Sequence, residues 1–209
     1  MTILIVDDHA VVRKGIVSLL REEILGLETA EAADAPSAFQ AAMDGNFDLV
    51  LLDITLPGRS GLDLLRDLRA ARPQLPVLVV SAHAERDYAV RAIKLGAAGY
   101  LSKQSAPDAL ITAVNRILSG RRYLSPEVAD LLAGAIGSNT GEIAHDALSN
   151  RELEVLKLIA TGQSLKSIST LLDLSEKTIA TYRARISAKL GISTNVDLTR
   201  YAVKHGLID

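Results

Sequence analysis

The sequence predicts an α/β fold, a doubly wound five-stranded parallel sheet, followed by an all-α helix-turn-helix unit. Three observations carry this expectation. Short apolar runs alternate with helical segments five times before Gly120. Runs of four to eight apolar residues bounded by turn signals read as strands buried on both faces. Three of the runs end in a carboxylate or hydroxyl: 3–6 in Asp7-Asp8, 49–52 in Asp53 and 77–80 in Ser81. Beyond Leu148 the strand-like runs stop and only helical spacing remains.

Taken in order, the first strand is expected at 2–6, with a helix over 11–21. A second strand near 29–32 precedes a helix near 35–44. The third strand, 49–52, leads to a helix near 61–71, and the fourth, 77–80, to one near 87–96. The fifth strand, 99–101, precedes a helix over 107–118 that stops at Ser119-Gly120. Such strand–helix repeats place helices on both faces of one sheet. A short helix over 126–133 is followed by a connector, 134–141, rich in Gly and small polar residues. The expected division is therefore 1–120, a linker over 121–147, and a second domain over 148–209.

In that second domain, Ser149 followed by Glu152 makes a capping box, and Leu153, Val155, Leu156, Leu158 and Ile159 continue the helix to Gly162. A second helix covers 165–172 and Asp173-Leu174 turns. Ser175 then caps a third helix, whose Ile179, Ile186 and Leu190 keep core-facing spacing. Its other faces carry Lys177, Thr181, Arg183, Arg185 and Lys189. A small bundle with a solvated basic face would look the same. A short helix, a turn and a long basic helix are also the parts of a helix-turn-helix, whose second helix enters the major groove.

Composition narrows the chemistry. The chain has 209 residues, 48% of them hydrophobic, and no cysteine. Disulfides, thiolate metal sites and thiol catalysis are thereby excluded. No apolar run approaches the roughly 20 residues of a membrane span, and the start of the chain lacks the basic flank of a signal peptide. The expectation is a cytoplasmic protein without a membrane partner. The stretch 148–209 carries nine Lys or Arg against six Asp or Glu, whereas the whole chain is at −2. An acidic first part joined to a basic second part points to nucleic acid as the partner of the latter.

Asp7, Asp8 and Asp53 are delivered to one sheet edge, the carboxyl ends of strands, where open α/β sheets bind ligands. Each acid alone is an ordinary turn residue. Together they repel unless a proton or cation intervenes, and the cation suited to an all-oxygen cluster is Mg2+. Ser81 and Lys103 stand past neighbouring strands and suit a phosphoryl group, one by donating a hydrogen bond and one as a point charge. Phosphoryl transfer needs mainly positioning and charge stabilisation, with Asp53 as the nucleophile that becomes an aspartyl phosphate.

The order Asp7-Asp8, Asp53, Ser81, Lys103 resembles the receiver domain of two-component signalling. So do the phrases Val6-Asp-Asp-His9, Leu56-Pro-Gly58 and Gly96-Ala-Ala-Gly-Tyr-Leu-Ser-Lys103. The resemblance implies a flavodoxin-like sheet of order 2-1-3-4-5. It also implies Mg2+ held by Asp8, Asp53 and the Thr55 backbone carbonyl, with Asp7 acting through water or orienting the ion. Tyr100 occupies the place of an aromatic that swings inward on phosphorylation. Arg59 stands where many members carry Met, on the expected exposed side of its loop. Thr55 and His83, two residues beyond the acceptor and the hydroxyl, lie beside the path of water attacking the phosphoryl group.

Residues 148 to about 208 resemble the LuxR-type DNA-binding domain, through Leu148-Ser-Asn-Arg-Glu-Leu-Glu-Val-Leu156, Ser175-Glu-Lys-Thr-Ile179 and Lys189-Leu-Gly-Ile192. Leu165, Ser167 and Tyr182 depart from commoner family residues. Matching positions place Ala180, Thr181 and Ala184 toward the bases, beside Thr178 and Tyr182. The small residues can meet a thymine methyl but make no bidentate contact. Lys177, Arg183, Arg185 and Lys189 suit phosphates. A receiver followed by this domain is the NarL/FixJ class. It implies a non-enzymatic transcription regulator, phosphorylated on Asp53 by a sensor histidine kinase and binding double-stranded DNA as a homodimer. RNA polymerase is a further candidate partner. The rival reading is a phosphorylation-independent DNA-binding protein with a vestigial receiver.

Overall fold

A computed structural model describes residues 1–82, 85–137 and 144–208. The chain divides into two compact units, Met1–Ser138 and Asn139–Asp209. The first alternates β1 (Thr2–Val6), α1 (Ala10–Glu23), β2 (Glu28–Ala32), α2 (Ala35–Asp44), β3 (Leu49–Leu52) and α3 (Gly61–Ala71). It continues through β4 (Val77–Ser81), α4 (Glu85–Lys94), β5 (Gly99–Ser102), α5 (Pro107–Leu118) and α6 (Pro126–Gly137). The strands form one sheet of order β2-β1-β3-β4-β5, parallel throughout, as the resemblance implied.

The continuous apolar runs are continuous because both sheet faces are covered. Successive side chains on a strand point to opposite faces. Ile3, Ile5, Leu49, Leu51, Leu78, Val80 and Leu101 therefore gather with Leu110, Val114 and Ile117 of α5 and Leu20 of α1 on one face. Leu4, Val50, Leu52 and Val79 are buried toward the other. Reversal of strand order between β1 and β3 opens the crevice at their carboxyl ends.

Two strands run one residue beyond the expected ends. Ser81 pairs with Ser102, so both join the ladder rather than the loops that follow. The helix expected over 126–133 extends to Gly137; Ser125 accepts from the Val128 amide at 3.2 Å to cap it. α6 packs on α4 within the first unit. Part of the Gly-rich connector, residues 138–143, lies outside the described residues.

The second unit holds a 3-10 turn (Ala144–Ala147), α7 (Asn150–Ala160), α8 (Leu165–Leu172), α9 (Glu176–Leu190) and α10 (Asn195–Lys204). The capping box is present: Ser149 accepts from the Glu152 amide, and Glu152 accepts from the Ser149 amide at 2.7 Å. Ser164, Ser175 and Thr194 cap the other three helices. Asp173 takes a left-handed conformation, φ 51°, in the tight turn between α8 and α9, a region that Asp tolerates better than most residues. Ile179 and Ile186 of α9 are fully buried. No described helix is long and apolar enough to cross a membrane.

Candidate functional site

Backbone pairing carries the acids past the strands. The Asp53 amide donates to the Val6 carbonyl at 2.8 Å and the Asp7 amide to Ala32 at 3.2 Å. Both carboxylates are buried, at 3% and 2% exposure. Lys103 joins them. Its Nζ lies 2.6 Å from Asp53 Oδ2 and 2.5 Å from Asp7 Oδ2. The lysine is aimed by its own amide, which donates to the Ser81 carbonyl at 2.7 Å and so extends the β4–β5 ladder. Ser81 is fully buried at the end of β4. The Thr55 amide donates to Asp53 Oδ1 at 3.2 Å.

Burial pushes the Asp53 carboxyl up to about 6, with the Asp7 charge adding to it; Lys103 opposes both and only partly offsets them. Burial alone would lower Lys103, yet the two carboxylates outweigh it and hold the ammonium above its ordinary value. The cluster is thus short of positive charge.

Asp7, Asp8, His9 and Asp53 present ligand atoms within 4.8 Å of one another. The donor set fits a hard divalent cation. Two buried carboxylates form one side, and Asp8 lies at the solvent edge, where Mg2+ could keep its waters. His9 was not expected among these groups. Its Nδ1 lies 2.7 Å from Asp8, and its amide donates to Asp7 Oδ1 at 2.8 Å. Arg13 was also missed: it donates to the Asp7 carbonyl at 2.5 Å and pairs with Glu31 at 3.0 Å, steadying the loop. Its only sequence signal is adjacency to the acids.

Gly61 makes room for the acceptor loop. A Cβ there would fall 2.0 Å from the Asp53 carbonyl oxygen and 2.9 Å from Ile54 Cα. Gly61→Ala is expected to cost at least about 2 kcal/mol and to slow modification of Asp53, read by urea unfolding and by adduct formation. Unchanged values in both would show that the loop yields freely. Arg59 is exposed, as expected, and pairs with Asp67 at 2.5 Å. His83 lies outside the described residues.

Tyr100 has no exposed surface. The resemblance implied a residue that moves inward on phosphorylation, but here the ring is already inside, on a strand paired with Val79 under a covered sheet.

On α9, Lys177, Ala180, Thr181, Ala184 and Arg185 are exposed, while Thr178, Tyr182 and Arg183 are half-buried. Two of the four cations expected at phosphates are engaged within the unit. Lys189 bonds Glu152 at 2.6 Å and the Ala147 carbonyl at 3.1 Å. Burial would raise the Glu152 carboxyl, but Lys189 and the Ser149 cap hold it below its usual range. Arg183 donates to Asn195 at 2.8 Å and to the Ser193 carbonyl at 3.1 Å. These contacts fasten α9 to its neighbours, and helical spacing alone does not reveal them.

Residues 3–115 match the family described as "Response regulator receiver domain", and residues 146–202 match "Bacterial regulatory proteins, luxR family". The chain is 37% identical to the response regulator GacA of Pseudomonas aeruginosa, over 99% of this chain and 97% of that one. To the response regulator UvrY of Escherichia coli it is 35% identical, over 99% and 95%. It is also similar, with a TM-score of 0.61 and 26% identity over 96% of this chain and 97% of that one, to RcsB from Salmonella enterica serovar Typhimurium. That structure is bound to promoter P1flhDC in the presence of the phosphomimetic BeF3-. A five-stranded sheet with acids at its switch point, continuous with a helix-turn-helix, agrees with these matches over both units. The chain therefore belongs to the response regulator family, as a two-component regulator of the NarL/FixJ type with a LuxR-type DNA-binding domain.

Proposed function

We propose that Asp53 accepts a phosphoryl group from a sensor histidine kinase, and that this controls how α9 engages double-stranded DNA to regulate transcription. The observation that carries the reading is Lys103, held between two buried carboxylates that it does not fully neutralise. Asp53 attacks phosphorus, the bond to the donor breaks, and the donor leaves with its electron pair. Lys103 Nζ turns from the carboxylate to the new phosphoryl oxygens, Ser81 donates to another, and Tyr100 keeps its inward place. Mg2+, held by Asp8, Asp53 and the Thr55 carbonyl with Asp7 orienting it, would supply charge neutralisation at the transferring group. The domains act as a receiver over about 1–120 and a DNA-binding domain from 148, joined by a linker. The protein works in the cytoplasm as a homodimer, with RNA polymerase as a downstream partner. A complete acceptor set disfavours a vestigial receiver.

Intact mass after incubation with Mg2+ and acetyl phosphate tests this. One phosphoryl group should appear on the wild type and none on Asp53→Ala. No adduct on folded wild type would refute the acceptor assignment.

On DNA, the exposed Lys177 and Arg185 are the phosphate contacts. Lys177→Ala should weaken binding to different duplexes alike and reduce the slope of log affinity against log salt by about 1. A loss confined to one duplex sequence would make Lys177 a base reader instead.

A further inference from the structure

α9 buries one stripe and exposes the opposite one. Ile179 and Ile186 are fully buried, whereas Lys177, Ala180, Thr181, Ala184, Arg185 and Ala188 are all exposed. Residues three and four apart share a helix face, so the exposed ones form a continuous stripe. A recognition helix in the major groove meets the base edges with its N-terminal part, which here is 177–184. Contacts within the second unit engage the polar groups of this part and its flanks. The Thr181 hydroxyl donates to the Lys177 carbonyl at 2.9 Å, so its proton is turned back along the helix. Thr178 Oγ1 shares a hydrogen bond with Ser175 Oγ at 2.8 Å in the helix cap. Arg183 is held by Asn195 and the Ser193 carbonyl, and Lys189 by Glu152. Between the cations Lys177 and Arg185, the stripe therefore presents methyl groups: Cβ of Ala180 and Ala184, and Cγ2 of Thr181.

We propose that α9 selects its DNA by the C5-methyl group of thymine, packed against Ala180, Thr181 and Ala184. In the major groove thymine alone carries a methyl, while guanine presents two acceptors. Ala180 and Ala184 have no side-chain donor for those acceptors, and the Thr181 proton is already engaged. An acceptor shielded from water without a partner is unfavourable, whereas a thymine methyl set against three methyls removes apolar surface from water. Lys177 and Arg185, on either side, hold the helix to the phosphates and leave the choice of base to the stripe between them. This specificity rests on the DNA-binding reading above and names the chemical group that the face recognises.

Duplexes that the full chain enriches from a random pool, with and without acetyl phosphate and Mg2+, provide the test. Each thymine of an enriched duplex is replaced singly by deoxyuracil, which lacks only the methyl. At the contacted positions affinity should fall about fourfold, the value of one buried methylene-sized group. At the same positions 5-methylcytosine paired with guanine should bind better than cytosine, by a similar factor. Thr181→Ser removes the methyl and keeps the hydroxyl, and should erase the deoxyuracil penalty at the position that Thr181 contacts. Thr181→Val keeps the methyl and should keep that penalty. Deoxyuracil tolerated at every thymine, or the same penalties in Thr181→Ser as in the wild type, would overturn the methyl readout and leave DNA binding standing. A chain that enriches no duplex in either state would refute the DNA-binding reading itself, and the methyl readout with it.

Discussion

Lys103→Ala is expected to lower the stability of the protein by about 3 kcal/mol at pH 7 in EDTA, the usual cost of removing one partner from a buried ion pair. The ammonium stands 2.5 and 2.6 Å from two carboxylates that have little access to water. Without it Asp7 and Asp53 face each other uncompensated, and one must take up a proton or the loops must part. Millimolar Mg2+ should restore part of the loss, because a divalent cation fits among the same oxygens. Urea unfolding with and without Mg2+ measures this; an equal deficit in both would place the lysine's contribution outside the acid cluster. The variant should still be modified on Asp53 but should show no change in dimerisation afterwards, since the charge that follows the phosphoryl group is gone.

Asp53→Asn is expected to act in the opposite direction, raising stability by about 2 kcal/mol at pH 7.5 in EDTA while abolishing the adduct. The folded-state carboxyl titrates near 6, above its ordinary 3.8. The folded protein therefore binds this proton more tightly than the unfolded chain. The stability that Asp53 contributes is fully present below 3.8 and is lost as pH rises through the window up to about 6. Over such a shift the loss is about 3 kcal/mol, of which a neutral isostere recovers most. Denaturation as a function of pH should show the gap between variant and wild type opening in this window and staying level above it. A gap independent of pH would mean that Asp53 does not titrate there.

Opposite signs for two residues that touch follow from burial, which no sequence pattern reports. Asp53 and Asp7 were legible because each closes an apolar run, and Lys103 because it stands just past the fifth strand; a parallel sheet brings these strand ends to one edge. Their relative ionisation was not legible, because it depends on how much water reaches them. His9 and Arg13 escaped for a related reason: their roles come from turning back onto a loop, and no periodicity marks that. In the second unit, α9 was readable from its Ser175 cap and its buried Ile179 and Ile186. Its exposed Lys177 could not be told from Lys189, which α7 engages through Glu152.

Local rules in the sequence therefore determined the element order, the parallel sheet, the gathering of Asp7, Asp53 and Lys103 at one edge, and the helix-turn-helix. Apolar runs, caps and glycines act over a few residues and do not need the rest of the chain. Tertiary structure alone decided the raised pKa of Asp53, the buried place of Tyr100 and the division of basic residues between structure and solvent. Each of these depends on contacts between residues distant in sequence, and on the exclusion of water that only those contacts produce.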